Sequence, residues 1–269
     1  MQDEPSDAAV EDDHSGDPGT GWTERPVGPL AAARRHRRRT DWRLGGRAVS
    51  RWDTSVLVSA AVGGGIGVLA AVLVARISAP WAPTVSLLAL WAGLFGAVVW
   101  AFIRARPAGI LTFRPTDLVW GLGVGLGLRL LQGLSSDANS APFPSSASFS
   151  GILSAGNVPD FFTAGFAGPV IEEFFFRAVL LIALYQLFRR SLGHVAAGVT
   201  AAFTSAGAFI CLHAAFGVLT LSDGLQLFLV GVACSGLVIM TGRIWGAVLA
   251  HIVYNVSFVL LGVLGTALA

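Results

Sequence analysis

The stretch PVIEEFFFR, residues 169–177, places two adjacent glutamates and an arginine inside an apolar run long enough to cross a lipid bilayer. Ionisable groups at membrane depth are costly unless they face a protein interior or an aqueous cavity. Glu173 and Arg177 are four residues apart on one helical face, with the acid first, and can neutralise each other. Glu172 points about 100° away around the helix, so it is free to face another group. This pattern indicates a membrane-embedded catalytic or proton-handling site.

Two later apolar stretches carry the remaining acid–base side chains. FICLH ends at His213, one helical turn after Phe209, and HIVYN places His251 and Asn255 on one face at the same spacing. A single intramembrane histidine is often a hydrogen-bonded packing residue. Two histidines, one with an asparagine beside it, together with a spare carboxylate, indicate general acid–base chemistry.

The composition is typical of a membrane protein. Hydrophobic residues make up 54% of the chain and charged residues 13%, and the mean hydropathy is +0.68. We predict an all-α, polytopic transmembrane helical bundle of about seven spanning helices. Their predicted ranges are 55–77, 82–103, 117–133, 161–188, 195–217, 225–241 and 244–266. Residues 134–159, rich in serine and proline, are predicted to form a polar loop.

Residues 1–53 are predicted to be a disordered arm, and residues 54–269 the membrane domain. Eight of the 16 acidic residues lie between Asp3 and Glu24, and eight of the 18 basic residues, all arginines, lie between Arg34 and Arg51. The arm has too few apolar side chains to bury a core. An arginine run can bind nucleic acid. Directly before a spanning helix it is better explained by anionic lipid and topology, so no nucleic-acid partner is expected.

The arginines also predict a topology. Those of the arm, then Arg104, Arg106 and Arg114, then Arg189 and Arg190, then Arg243 fall on one side if seven helices are counted. The positive-inside rule places that side in the cytoplasm. We therefore expect a multi-pass protein of the bacterial plasma membrane with a cytoplasmic N-terminus.

The chain lacks the residues that several known mechanisms of hydrolysis require. There is no H-E-x-x-H helix for a zinc protease, no G-x-S-x-G elbow for a serine nucleophile, and no pair of spanning aspartates. Glutamate-based hydrolysis remains, in which a carboxylate and an imidazole activate water and other polar groups stabilise the oxyanion.

The ordered set of motifs resembles a known family. E-E-x-x-x-R at Glu172–Arg177, F-x-x-x-H at Phe209–His213 and H-x-x-x-N at His251–Asn255 are similar to the three motifs of the CPBP family. This family comprises type II CAAX prenyl endopeptidases and bacteriocin-processing or bacteriocin-immunity (Abi) proteins. The resemblance covers about residues 117–266. Ala178 stands where many members have glycine, which is a conservative departure.

The resemblance implies an intramembrane endopeptidase that cleaves membrane-associated proteins or peptides. It implies Glu172 as general base with His213 as its partner, and His251 with Asn255 as the oxyanion site. Supporting positions would be Glu173, Arg177 and Phe209. Zinc bound by Glu172, His213 and His251 is an alternative. We favour no cofactor, because no two of these candidate ligands share a helix at ligand spacing.

Two other functional classes remain open from the sequence. A non-catalytic immunity or signalling-regulator protein could retain the protease fold and bind a partner helix. A proton-coupled transporter could use the same glutamates and histidines as a relay, but it should show inverted repeats, and none is found in the sequence.

Overall fold

The computed structural model describes residue 52, residues 54–136 and 138–140, residue 144 and residues 161–268, and all regular structure among these residues is helical. The predicted all-α class is therefore confirmed. The predicted disordered arm lies outside the described residues except for Trp52, and so does most of the predicted loop at 134–159.

Seven α-helices and two π-helical segments make up the described chain. The α-helices are α1 Thr54–Ala75, α2 Ala82–Arg104, α3 Thr116–Ser135, α4 Gly168–Glu173, α5 Leu181–Ala214, α6 Leu221–Thr241 and α7 Trp245–Leu268. The π-helical segments Thr163–Ala167 and Phe174–Leu180 flank α4 and make Thr163–Ala214 one continuous helical stretch. Six stretches of the described chain are long and apolar enough to cross a membrane.

The longest stretch folds back on itself at Gly193. Gly193 has φ 73° and ψ −179°, a backbone conformation that is not helical and that favours glycine. The Ser205 hydroxyl donates to the Phe176 carbonyl at 3.0 Å, although 29 residues separate them. In a straight helix those residues would be about 43 Å apart at 1.5 Å per residue. The stretch therefore makes two antiparallel passes, the fourth before Gly193 and the fifth after it, so that the described residues form seven passes, as predicted.

Several helix ends differ from the predicted ranges, and the largest shift is at the start of α6. The fifth pass ends at Ala214, three residues before the predicted end, and α6 begins at Leu221 instead of residue 225. Thr220 and Asp223 form a capping box in which each side chain accepts from the other's backbone N–H. This cap explains the earlier start of α6.

Helix α3 runs parallel to α7 and packs closely against it. Asp117 at the start of α3 pairs with Arg243, just before α7, at 2.7 Å. Further along, Gly125 lies against Ala250, so that a Cβ on Gly125 would be 2.6 Å from the Ala250 carbonyl oxygen. Arg129 then donates to the backbone carbonyl of Tyr254. The lack of a side chain at Gly125 is what permits this approach.

The fourth pass runs antiparallel to α7. Along it Ala164 faces Asn255, and nine residues later Glu173 faces His251. The end of α3 and the start of the fourth pass therefore lie at the same end of the bundle.

Because of these helix directions, most of the described arginines lie at one end of the bundle. Trp52 donates from its ring N–H to the Ala105 carbonyl, and Ile244 N–H donates to the Ile110 carbonyl, so the corresponding helix ends meet there. The arginines at this end are Arg104, Arg106, Arg114, Arg189, Arg190 and Arg243. Their position on one side is as predicted. The cytoplasmic orientation of that side stays a prediction.

Candidate active site

Glu173 and Arg177 form the ion pair that their spacing predicts. Arg177 Nη1 lies 3.0 Å from Glu173 Oε1, and neither side chain has exposed surface. The guanidinium lies over the ring of Phe209 at 4.7 Å and over that of Phe176 at 5.6 Å, which surrounds the cation with aromatic faces. The pair therefore sits in a dry interior where each charge depends on the other.

His251 is bound to the same carboxylate. Its Nδ1 lies 2.9 Å from Glu173 Oε1, and the imidazole is almost fully buried. A carboxylate acceptor at this distance places a hydrogen on Nδ1. The sequence did not predict this contact, because the two residues are 78 positions apart. Glu173 thus orients His251 as well as neutralising Arg177.

Glu172 faces the other side of the His251 ring. Its Oε2 lies 3.9 Å from His251 Nε2, and its side chain keeps 16% of its surface exposed. Gly168, one turn earlier, leaves space beside it, since a Cβ there would be 3.9 Å from Glu172 Oε1. A single oxygen atom can lie about 2.8 Å from both Glu172 Oε2 and His251 Nε2. Glu172 is therefore the accessible carboxylate of the cluster.

His213 approaches the cluster from the fifth pass. Its Nδ1 lies 2.9 Å from the Phe209 carbonyl. A carbonyl only accepts, so Nδ1 carries the hydrogen, and in the neutral ring Nε2 is the proton acceptor. The imidazoles of His213 and His251 both pack against the Phe209 ring, with centroids 4.5 Å and 5.7 Å from it. No hydrogen bond or ion pair of the described chain joins His213 to Glu172.

Asn255 lies one turn after His251 on α7. Its Nδ2 donates to the Ala164 carbonyl in the first π-helical segment at 3.0 Å. One N–H and the Oδ1 of this half-buried amide make no further hydrogen bond to the described residues. One hydrogen of the amide is therefore bonded to the Ala164 carbonyl, and the other has no partner among the described residues.

The candidate zinc ligands do not form a metal site in the described chain. Nowhere among those residues do three or more His, Cys, Asp or Glu side chains group as metal ligands. Glu172 and His251 are neighbours, but His213 does not complete a three-ligand set with them.

The structure thus brings together most of the predicted site residues. Glu172, Glu173, Arg177 and His251 are in direct contact, Phe209 packs against the cluster, and His213 and Asn255 flank it. Sequence reasoning missed the backbone carbonyl of Ala164. No sequence signal pointed to it, because a backbone carbonyl of one helix that meets a side chain of another leaves no mark on the local pattern.

These observations define a class: a polytopic helical membrane protein with a buried carboxylate–histidine cluster between its passes. Residues 154–257 match the family model described as type II CAAX prenyl endopeptidase, Rce1-like. This match supports the resemblance to that family of proteases that the three motifs predict. The match includes every predicted site residue and does not reach α1, α2 or α3. No curated protein and no solved structure has significant similarity to the chain.

Proposed function

We propose that the protein is an intramembrane endopeptidase in which Glu172 activates water to hydrolyse peptide bonds of membrane-associated proteins or peptides. The observation that carries this proposal is the position of Glu172. It is the accessible carboxylate of a buried cluster, with an imidazole nitrogen 3.9 Å away. The family match supports the same class of reaction.

Glu172 takes the proton of the attacking water as the water oxygen bonds to the scissile carbonyl carbon. His213 is the second proton-handling group, because its Nδ1 bond to Phe209 leaves Nε2 as an acceptor. When the tetrahedral intermediate collapses, the carbon–nitrogen bond breaks and the proton passes to the leaving amine. The products are a carboxylic acid and an amine, which ionise to a carboxylate and an ammonium group, and the site returns to its starting charge.

His251 and Asn255 stabilise the oxyanion of that intermediate in this proposal. They occupy one face of α7 a turn apart. Since Glu173 holds Nδ1 of His251, the ring must also be protonated at Nε2 to donate there. Asn255 contributes its open N–H.

The family description names CAAX prenyl proteins, and for this chain we propose the wider class of membrane-associated protein or peptide substrates. The proposed location is the bacterial plasma membrane. The arginine-bearing end of the bundle would face the cytoplasm.

Replacing Glu172 tests the proposal directly. Glu172→Gln is nearly isosteric but cannot take a proton, so cleavage should fall roughly 10²-fold or more. Expression and thermal stability should stay near wild type, because the side chain is partly exposed and makes no hydrogen bond. Purified wild-type and variant proteins would be compared against a library of tagged membrane peptides. Full cellular function of Glu172→Gln would favour a non-catalytic immunity or signalling role instead.

A further inference from the structure

The Ala164 carbonyl lacks a helical hydrogen-bond donor. In a helix this oxygen accepts from residue 168 in the α pattern or from residue 169 in the π pattern. The Gly168 N–H instead donates to the Thr163 carbonyl, in the π pattern. Residue 169 is proline and has no N–H. Neither of the two regular donors therefore reaches Ala164.

Asn255, on helix α7, supplies the missing hydrogen-bond donor. Its Nδ2 donates to the Ala164 oxygen at 3.0 Å. The approach of α7 is close at this point, because Gly165 leaves space for the Val256 side chain. A buried or half-buried carbonyl without a partner is costly, so the proline creates an acceptor that the asparagine satisfies.

We propose that Pro169 is a positioning residue, which acts on the reaction by keeping the Ala164 carbonyl free for the Asn255 amide. This inference rests on the proposed function of Asn255 at the oxyanion site. With one N–H fixed on Ala164, the rotation of the amide is restricted and its second N–H is presented to the substrate carbonyl. Without that anchor, the amide can rotate and present Oδ1 to the oxyanion, which would be repulsive.

The alternative is that Pro169 merely shapes the helix. The two readings differ in the sign of the stability effect. An alanine at 169 supplies an N–H that can close a helical hydrogen bond on the Ala164 carbonyl. A positioning role therefore predicts that Pro169→Ala loses activity while the protein becomes equally or more heat-stable. A purely structural role predicts that activity and stability fall together.

The test compares Pro169→Ala with wild type on a cleavable membrane peptide. The kcat should fall about tenfold or more, in the range expected when an oxyanion donor is disturbed, with KM changed less than about twofold. The melting temperature in detergent should be unchanged or higher. Pro83→Ala is the matched control, because Pro83 lies in the first turn of α2, where its missing N–H would be unpaired in any case. It should leave kcat unchanged.

A double variant separates positioning from other effects. In the Asn255→Ala background, Pro169→Ala should cause no further loss of kcat, because both changes remove one interaction. Lactic acid introduced at position 169 also lacks an N–H and should restore most of the kcat lost in Pro169→Ala. Unchanged kcat in Pro169→Ala, or losses that multiply in the double variant, would overturn the inference while leaving the proposed function intact.

Failure of the proposed function gives a different result, namely wild-type cleavage that does not depend on Glu172. The contact can still be tested then, by the ¹⁵N chemical shift of the Asn255 side-chain amide in the Glu172→Gln background. Pro169→Ala should shift that signal. An unmoved signal would show that the proline does not control the asparagine.

Discussion

At the scale of single residues, Glu173 holds together two parts of the site. Its Oε1 lies 3.0 Å from Arg177 and 2.9 Å from His251. Its other oxygen, Oε2, has no hydrogen-bond partner within the described chain. The two adjacent glutamates therefore lie in different surroundings: Glu173 is fully buried against Arg177 and His251, and Glu172 keeps part of its side chain exposed. In the proposed mechanism Glu173 holds the geometry of the site and Glu172 meets water and substrate.

Replacing Glu173 should cost stability as well as activity. Glu173→Gln removes the counter-charge of a fully buried Arg177, and breaking a buried ion pair costs about 3–5 kcal/mol. Thermal unfolding in detergent should therefore show a clear loss for Glu173→Gln. Glu172→Gln, which breaks no buried pair, is the matched control and should unfold near the wild-type temperature. Equal stability of the two variants would contradict the structural role of Glu173.

The residue-scale contacts that could be predicted are those within one helix. The Glu173–Arg177 pair and the contact between the Phe209 and His213 rings follow from spacing alone, because residues four apart share a helical face. The Glu173–His251 bond joins different helices, and a single sequence gives no rule for which residues meet there. For the same reason the pairing of Glu172 with His251, instead of with His213, could not be predicted.

At the scale of helices, the contact between α3 and α7 depends on glycines of one face. Gly125 faces α7, whereas Gly123 has no atom of another residue near its missing Cβ within 4 Å. Gly125→Ala would place a methyl group 2.6 Å from the Ala250 carbonyl, and overpacking of this kind costs about 1–3 kcal/mol.

We expect Gly125→Ala to lower the melting temperature and to reduce activity, because Ala250 is next to His251. The matched control Gly123→Ala adds the same methyl group on the open face and should be neutral or slightly stabilising. Thermal unfolding and peptide cleavage of both variants would measure this. If the two variants behaved alike, close packing of α3 on α7 would not matter to the site.

The helices themselves could be predicted because each is a long apolar run. The residues at which they begin and end were harder to predict. The capping box at Thr220 and Asp223 was a readable signal for the start of α6. The π-helical segments around α4 had no such signal, since one extra residue per turn changes no hydropathy pattern. They nevertheless shift the carbonyl of Ala164 into the reach of α7.

At the scale of the whole molecule, charge is distributed unevenly between the two ends of the bundle. Six described arginines lie at the end where α1 begins, and Arg76 lies at the opposite end. The predicted Arg-rich stretch of the arm, Arg34 to Arg51, directly precedes α1. The arginines of the arm and those at the helix ends would thus favour the same orientation of the bundle in the membrane.

The arm itself should separate into two functional parts. Deleting residues 1–33 should preserve cleavage, because this acidic, polar stretch has too few apolar side chains to bury a core. Replacing the eight arginines between Arg34 and Arg51 with glutamine should scramble membrane insertion. Lysine replacements keep the charge and are the matched control. A reporter fused to the N-terminus would measure orientation. If it stayed cytoplasmic in the glutamine variant, the later arginines would set the topology.

The pairing of α3 with α7 has a consequence for biosynthesis. Asp117 and its partner Arg243 are 126 residues apart, a distance that a ribosome covers in the order of ten seconds at 5–20 residues per second. Until Arg243 and α7 have been translated, Asp117 and Arg129 lack the partners that they contact in the folded chain. Charged side chains in lipid are costly, so a chain truncated before α7 should be retained by insertion factors or degraded. Helix α7 therefore completes the carboxylate–histidine cluster, and a chain without α7 cannot assemble it.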